Sequence, residues 1–129
     1  MKWNLAFKLA ALWNFSGALF ALFCKDLMSS LFYVNSDPAL TTVESNINYY
    51  LLYSFILVMG IGYWIVSLDP SRNKGLILVG IIGKLSTAFT WIIVFFMGYG
   101  TIMLLAGALG DLAWSLLFCY YLSKSVKKA

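Results

Sequence analysis

Three polar residues interrupt long apolar stretches of the sequence at similar distances from the ends of those stretches. Asn14 lies in the first stretch, Lys84 in the third and Asp111 in the fourth. If each stretch is a membrane-spanning helix, Lys84 and Asp111 lie about 14 Å and about 15 Å from their helix ends, near the centre of a bilayer. An ammonium, a carboxylate and an amide at one depth can form an ion pair, exchange a proton or bind the polar group of a ligand.

The charges of Lys84 and Asp111 predict a direct contact. An isolated charge at that depth costs at least about 2.5 kcal/mol, and a lysine and an aspartate at matched depth relieve each other. We therefore predict an ion pair, with Asn14 as its third member, because the amide can donate to the carboxylate and accept from the ammonium. Two interpretations stay open. The pair either fixes the register of the last two helices or lines a cavity in which a substrate or proton exchanges with one partner.

Hydroxyl-bearing residues on the same two helices are candidates to extend this network. They are Ser86, Thr87, Thr90 and Ser115. Thr87 and Ser115 are our candidate members, although hydroxyls in membrane helices more often bond back to a carbonyl of their own helix. Deep aromatic residues that face inward could wall a pocket for a flat or hydrophobic ligand, while contact with lipid explains most of them. These residues are Trp13, Tyr63, Trp64, Trp91 and Trp114.

Small residues recur along all four apolar stretches and predict close helix packing rather than ligand contacts. Gly83 and Gly110 immediately precede the predicted ion pair. We expect them to let the third and fourth helices approach closely enough for Lys84 and Asp111 to meet.

The composition requires that most of the chain lies in lipid. The 129 residues are 62% hydrophobic and 11% charged, with a mean hydropathy of +0.86. A spanning helix needs about 20 predominantly apolar residues, and four segments qualify, at roughly 3–24, 49–68, 75–97 and 101–122. The predicted fold is therefore all-α, an integral membrane four-helix bundle that forms a single transmembrane domain over residues 1–129.

The basic residues predict the orientation of this bundle. Seven lie on one side of the predicted membrane, and Lys25 alone lies on the other. The seven are Lys2, Lys8, Arg72, Lys74, Lys124, Lys127 and Lys128. The positive-inside rule therefore puts both termini and the turn at Pro70 in the cytoplasm. In the loop 25–48, Asp37-Pro38 predicts the start of a short helix, and 31–34 could lie along the outer interface.

Several function classes are disfavoured by composition. The chain has no histidine, so metal and haem chemistry are improbable, and we predict no cofactor. The basic residues form no basic face, so we expect no nucleic-acid partner. A lipid-modifying enzyme that uses Asp111 or Lys84 as acid or base is the least favoured class, because no nucleophile stands at a known spacing from a base.

The pattern of these residues loosely resembles the small bacterial four-helix membrane proteins of the DoxX-like kind. The matching residues are Asn14 and Gly17 in the first span, Gly60-Ile61-Gly62-Tyr63 in the second, Asp69-Pro70-Ser71-Arg72-Asn73 in the turn, Gly83-Lys84 in the third and Gly110-Asp111-Leu112 in the fourth. The resemblance implies a bacterial inner membrane and brings no agreed activity. A more distant likeness to eukaryotic sterol-binding and sterol-isomerising four-helix proteins suggests a hydrophobic ligand, but the chain lacks their embedded acidic pair.

The leading hypothesis is a non-enzymatic inner-membrane protein that binds a small or lipid-like ligand at Asn14, Lys84 and Asp111, with transport of that ligand as an extension of the hypothesis. The alternative is a structural or accessory subunit whose glycine-rich faces pack against a larger membrane complex. Pairing between copies of the chain is also plausible, because four helices enclose little interior.

Overall fold

The structure is a computed structural model that describes residues 2–34 and 42–126. These residues form five helices, α1 (Trp3–Phe23), α2 (Lys25–Phe32), α3 (Val43–Leu68), α4 (Lys74–Phe96) and α5 (Ile102–Val126). All but α2 are long and apolar enough to cross a membrane, which indicates a multi-pass membrane protein. The predicted all-helical class is confirmed.

Two of the long helices extend further than the apolar pattern predicts. α3 begins at Val43 rather than near residue 49, and α5 continues to Val126 rather than ending near 122. The added start of α3 is capped by Thr42, whose side chain accepts the backbone N–H of Ser45 at 3.2 Å. Hydropathy marks only the apolar part of a helix, so polar end turns are missed.

The main addition to the predicted architecture is α2, which occupies part of the segment predicted as a loop. Its C-terminal end is fixed to the α4–α5 turn. Tyr33 forms an isolated antiparallel bridge with Gly100, the N–H of Thr101 donates to the carbonyl of Phe32, and the N–H of Val34 donates to that of Tyr99, both at 2.9 Å. The helix start predicted at Asp37-Pro38 lies outside the described residues.

The long helices pack mainly as two pairs, α1 with α3 and α4 with α5, while α3 and α4 touch less. α1 and α3 run antiparallel. Asn4 donates to the carbonyl of Ser67 at 2.8 Å at one end, and the Tyr49 hydroxyl donates to that of Ala21 at 2.9 Å at the other. We call the end with the α3–α4 turn the Pro70 end, and the opposite end the α2 end.

Large side chains fill the Pro70 end between the two helix pairs. Phe7 of α1 stacks on Phe118 of α5 with ring centroids 4.8 Å apart, and Tyr63 of α3 lies 5.2 Å from the same ring. None of the three is more than 1% exposed. Val66 and Ile77 complete this fully buried group, so the Pro70 half of the molecule has a dense core.

Gly110 and Gly83 pack against side chains of α1 and α3 rather than between α4 and α5. A Cβ on Gly110 would lie 2.5 Å from the indole of Trp13, and one on Gly83 would meet only Met59 and Phe55 of α3 within 4 Å. The prediction that Gly83 and Gly110 bring α4 and α5 together is therefore wrong. Alanines lie buried in the α2-end cluster that these two helices share, namely Ala88 and Ala108.

Candidate functional site

Asn14, Lys84 and Asp111 meet in the middle of the molecule. The ammonium of Lys84 lies 2.6 Å from Oδ1 of Asp111 and donates to Oδ1 of Asn14 at 2.9 Å. All three residues are buried, with exposed fractions of 3%, 8% and 5% for Lys84, Asp111 and Asn14. The predicted ion pair is therefore present, and each residue comes from a different helix.

The Asn14 amide does not donate to the carboxylate as the sequence suggested. Its Nδ2 donates instead to the carbonyl of Ile56 on α3 at 3.1 Å. Gly60 permits this approach, because a Cβ there would lie 3.2 Å from the Asn14 Cβ and 2.7 Å from the Phe15 ring. Asn14 thus links α3 to the Lys84 ammonium and connects the two helix pairs.

Trp13 takes the place predicted for the Asn14 amide. Its indole Nε1 donates to Oδ1 of Asp111 at 3.2 Å, although the residue as a whole is 45% exposed. The sequence predicted for Trp13 either a pocket wall or contact with lipid, and no hydrogen bond. The usable signal was its indole N–H, which needs an acceptor when it lies deep in an apolar helix.

Tyr63 supports the ammonium from the Pro70 side. Its ring centroid lies 5.4 Å from the Lys84 Nζ, within the range of a cation–π contact. Its hydroxyl donates to the carbonyl of Gly80 at 3.1 Å, which fixes the ring in place. Lys84 is therefore surrounded by an acceptor on each of α1 and α5 and by an aromatic face on α3.

The candidate hydroxyls do not extend the network. Ser115 donates to the carbonyl of Asp111 at 2.9 Å and Thr87 to that of Gly83 at 3.0 Å. Thr90, which is exposed, donates to the carbonyl of Ser86 at 2.9 Å. Each proton is thus used within its own helix, so the polar group is compact rather than a stripe.

A cavity of about 250 Å³ adjoins the network on the α2 side. Asn14 and Asp111 are in its wall, whereas Lys84 is not. The remaining lining is mostly apolar and aromatic. It consists of Trp13, Ser16, Gly17, Met28, Phe32, Tyr53, Ile56, Trp91, Met103, Ala106 and Gly107. The charged surface offered to an occupant is therefore the carboxylate.

A second, larger recess of about 510 Å³ follows residues 2–8 at the start of α1. Its lining comes from that helix end alone, so it is open surface and cannot enclose a ligand. The cavity beside Asp111 is smaller but receives residues from all five described helices. It is the better candidate site, because binding sites combine apolar walls with a few convergent polar groups.

No group of three or more histidine, cysteine, aspartate or glutamate residues lies together within the described ranges. The chain matches no family model, no curated protein and no solved structure. The DoxX-like resemblance therefore stays a prediction.

Proposed function

We propose that this chain is a multi-pass membrane protein that binds a small or lipid-like molecule in the cavity beside Asp111, and that it can move that molecule within the membrane. The observation that carries the proposal is the position of the cavity. It touches the carboxylate of a buried ion pair and is otherwise lined mainly by apolar and aromatic groups. A pair needed only for helix register requires no adjoining space.

The size of the cavity sets the scale of the ligand. A volume of 250 Å³ is about eight times the ~30 Å³ that one water molecule occupies in the liquid. The cavity therefore holds a group of about ten non-hydrogen atoms, which is a small molecule or the polar end of a longer lipid.

We further propose the inner membrane of a bacterium as the setting, with both termini in the cytoplasm. The support is the distribution of basic residues and the resemblance described above. In this orientation the Pro70 end faces the cytoplasm. The cavity then lies in the half of the membrane that faces outward.

Native mass spectrometry of the protein released from lipid nanodiscs tests ligand binding. Ala106 is exposed at the cavity wall, and Ala113 is exposed on the same helix but outside the cavity. We expect a small-molecule or lipid adduct on the wild type that is lost in Ala106→Trp and retained in Ala113→Trp. Identical spectra for the two variants, or no adduct on the wild type, would contradict the proposal.

The structural-subunit alternative has its own supporting observation, the closed contact of 2.6 Å between Lys84 and Asp111. Such a pair neutralises itself and needs no ligand. Co-purification with one membrane partner at fixed stoichiometry, without any adduct in the cavity, would favour this alternative.

A further inference from the structure

Two residues of the cavity wall, Asp111 and Tyr53, each carry a side-chain oxygen that makes no aligned hydrogen bond to the described part of the chain. Asp111 uses Oδ1 for both Lys84 and Trp13, which leaves Oδ2 without a donor. The hydroxyl of Tyr53 is buried and makes no aligned hydrogen bond among the described residues, and the Tyr33 side chain is its polar neighbour. Oδ2 is not fully buried, since the Tyr53 hydroxyl is the one fully buried side-chain atom without a partner among the described residues. An accessible carboxylate oxygen in a residue of the cavity wall can accept a hydrogen bond from an occupant of the cavity.

The cavity opens on the side of the bundle between α1 and α5. Its exposed lining residues all belong to α1 and α5, and they are Trp13, Ser16, Met103 and Ala106. The backbones of α1 and α5 stay apart, since their packing relies on large side chains such as Phe7 and Phe118. A Cβ on Gly17 would meet no atom of the described residues within 4 Å. This gap between α1 and α5, which we call the α1–α5 portal, connects the cavity with the outer surface of the bundle.

We propose that a neutral, hydroxyl-bearing amphiphile enters from the bilayer through the α1–α5 portal and donates its hydroxyl to Oδ2 of Asp111. The proposal rests on the proposed function and specifies its ligand class and route. The aromatic walls from Trp13, Trp91 and Phe32 hold the apolar body, and a longer tail remains in the lipid because the portal is open.

The charge balance selects a neutral donor over a cation. Lys84 already neutralises the carboxylate at 2.6 Å, so an added cation would leave the buried group with a net positive charge. An added anion would face the carboxylate without contact to Lys84, which is absent from the cavity wall. A hydroxyl adds no charge, and its hydrogen bond to a carboxylate is stronger than one to a neutral acceptor.

Three naphthalene probes of similar size test the ligand class by isothermal titration of protein nanodiscs, with empty nanodiscs as the blank. They are naphthol, its methyl ether, which has no donor, and the cationic naphthylmethylamine. We expect naphthol to bind at least ten-fold more tightly than either of the others. Equal affinity for naphthol and the ether, or tighter binding of the amine, would overturn the assignment of the hydroxyl contact to Asp111. Either result would still show that the cavity binds a ligand, so the proposed function would survive.

Two glycines provide a matched test of the route. Both Gly17 and Gly75 are helical positions where a Cβ meets nothing within 4 Å, but only Gly17 lines the portal. We expect Gly17→Leu to weaken naphthol binding at least ten-fold and Gly75→Leu to leave it within two-fold of the wild type. Unchanged binding in Gly17→Leu would exclude entry between α1 and α5.

Tyr53→Phe tests which of the two side-chain oxygens, Oδ2 of Asp111 or the hydroxyl of Tyr53, forms the hydrogen bond with the ligand. The substitution removes the tyrosine hydroxyl and leaves Asp111 in place. Because Tyr53 lines the cavity, the affinity for both probes is expected to change together, and the preference for naphthol over its ether is expected to persist. Loss of that preference would transfer the hydroxyl contact to Tyr53 and overturn the proposal for Asp111. Failure of all three probes to bind also overturns it. The proposed function is tested separately, by the adducts that native mass spectrometry detects on the wild-type protein.

Discussion

The polar network divides the molecule into two halves that are packed very differently. On the Pro70 side, Phe7, Tyr63 and Phe118 are at most 1% exposed, and the rings of Phe7 and Tyr63 both contact that of Phe118. On the α2 side, the helices enclose a cavity of about 250 Å³ lined in part by Tyr53, whose buried hydroxyl makes no aligned hydrogen bond among the described residues. The difference separates a half that holds the helices together from a half that has room for a ligand.

The ion pair lies at the boundary, and its two members face different halves. Lys84 contacts the ring of Tyr63 and is absent from the cavity wall, whereas Asp111 is part of that wall. After mutation of its partner, an unpaired Lys84 would therefore lie in dense packing, whereas an unpaired Asp111 would face the cavity.

The largest expected effect comes from breaking this pair. Asp111→Leu leaves the Lys84 ammonium beside the dense core, and we expect it to lower the free energy of unfolding by about 3 to 5 kcal/mol. Lys84→Leu costs less, because the carboxylate keeps the Trp13 donor and adjoins the cavity. Unfolding in mixed micelles of increasing SDS content measures both losses.

The double variant Lys84→Leu/Asp111→Leu is the control for the pair. Replacing a buried ion pair with apolar residues is often close to neutral, so we expect it to recover most of the stability lost by Asp111→Leu alone. If the double variant is as unstable as the sum of the two single losses, the residues do not act as a pair. Equal losses of unfolding free energy in the two single variants would contradict the assignment of Lys84 to the Pro70 half.

A smaller effect is expected from adding one methyl group to each half. In the dense half, the Cβ of Gly80→Ala would lie 2.5 Å from the buried Tyr63 ring, so we expect a loss of about 1 to 3 kcal/mol in unfolding free energy. In the cavity half, Gly17→Ala meets nothing within 4 Å and should gain about 0.5 to 1 kcal/mol from helix propensity. The same SDS titration measures both. A comparable loss at both positions would show that the α2 half is packed as densely as the Pro70 half.

The sequence predicted the helical class and the contact between Lys84 and Asp111, because burying charge in an apolar helix leaves few physical alternatives. It did not predict α2, since its eight residues form a short amphipathic helix that hydropathy does not detect. It also assigned the carboxylate donor to the Asn14 amide rather than to Trp13. Which neighbour reaches an acceptor depends on helix rotation, and here Gly60 draws Asn14 toward α3.

The cavity itself could not be predicted from composition. Helix periodicity indicates which residues face inward but not whether facing side chains fill the space between two helix pairs. The phenylalanines at residues 7 and 118 close the gap between α1 and α5 at the Pro70 end, whereas Gly17 and Ala106 leave it open nearer α2. The positions of small residues were visible in the sequence, but their role as a portal depends on the spacing of the helices.

The smallest expected effect lies in the turn that closes the Pro70 end. Hydrogen bonds from the Ser71 hydroxyl and from the N–H groups of Arg72 and Ser71, with the nearby Arg72 guanidinium, hold the pKa of the Asp69 carboxyl below its usual range. The contribution of the turn to stability is therefore present above the usual aspartate pKa and is lost as the pH falls through the lowered value. In Asp69→Asn, the decrease of the thermal unfolding midpoint that accompanies protonation of Asp69 at low pH should be absent. Naphthol binding should stay unchanged. If Asp69→Asn changes naphthol binding, the two halves are coupled through the Pro70 turn and their separation fails.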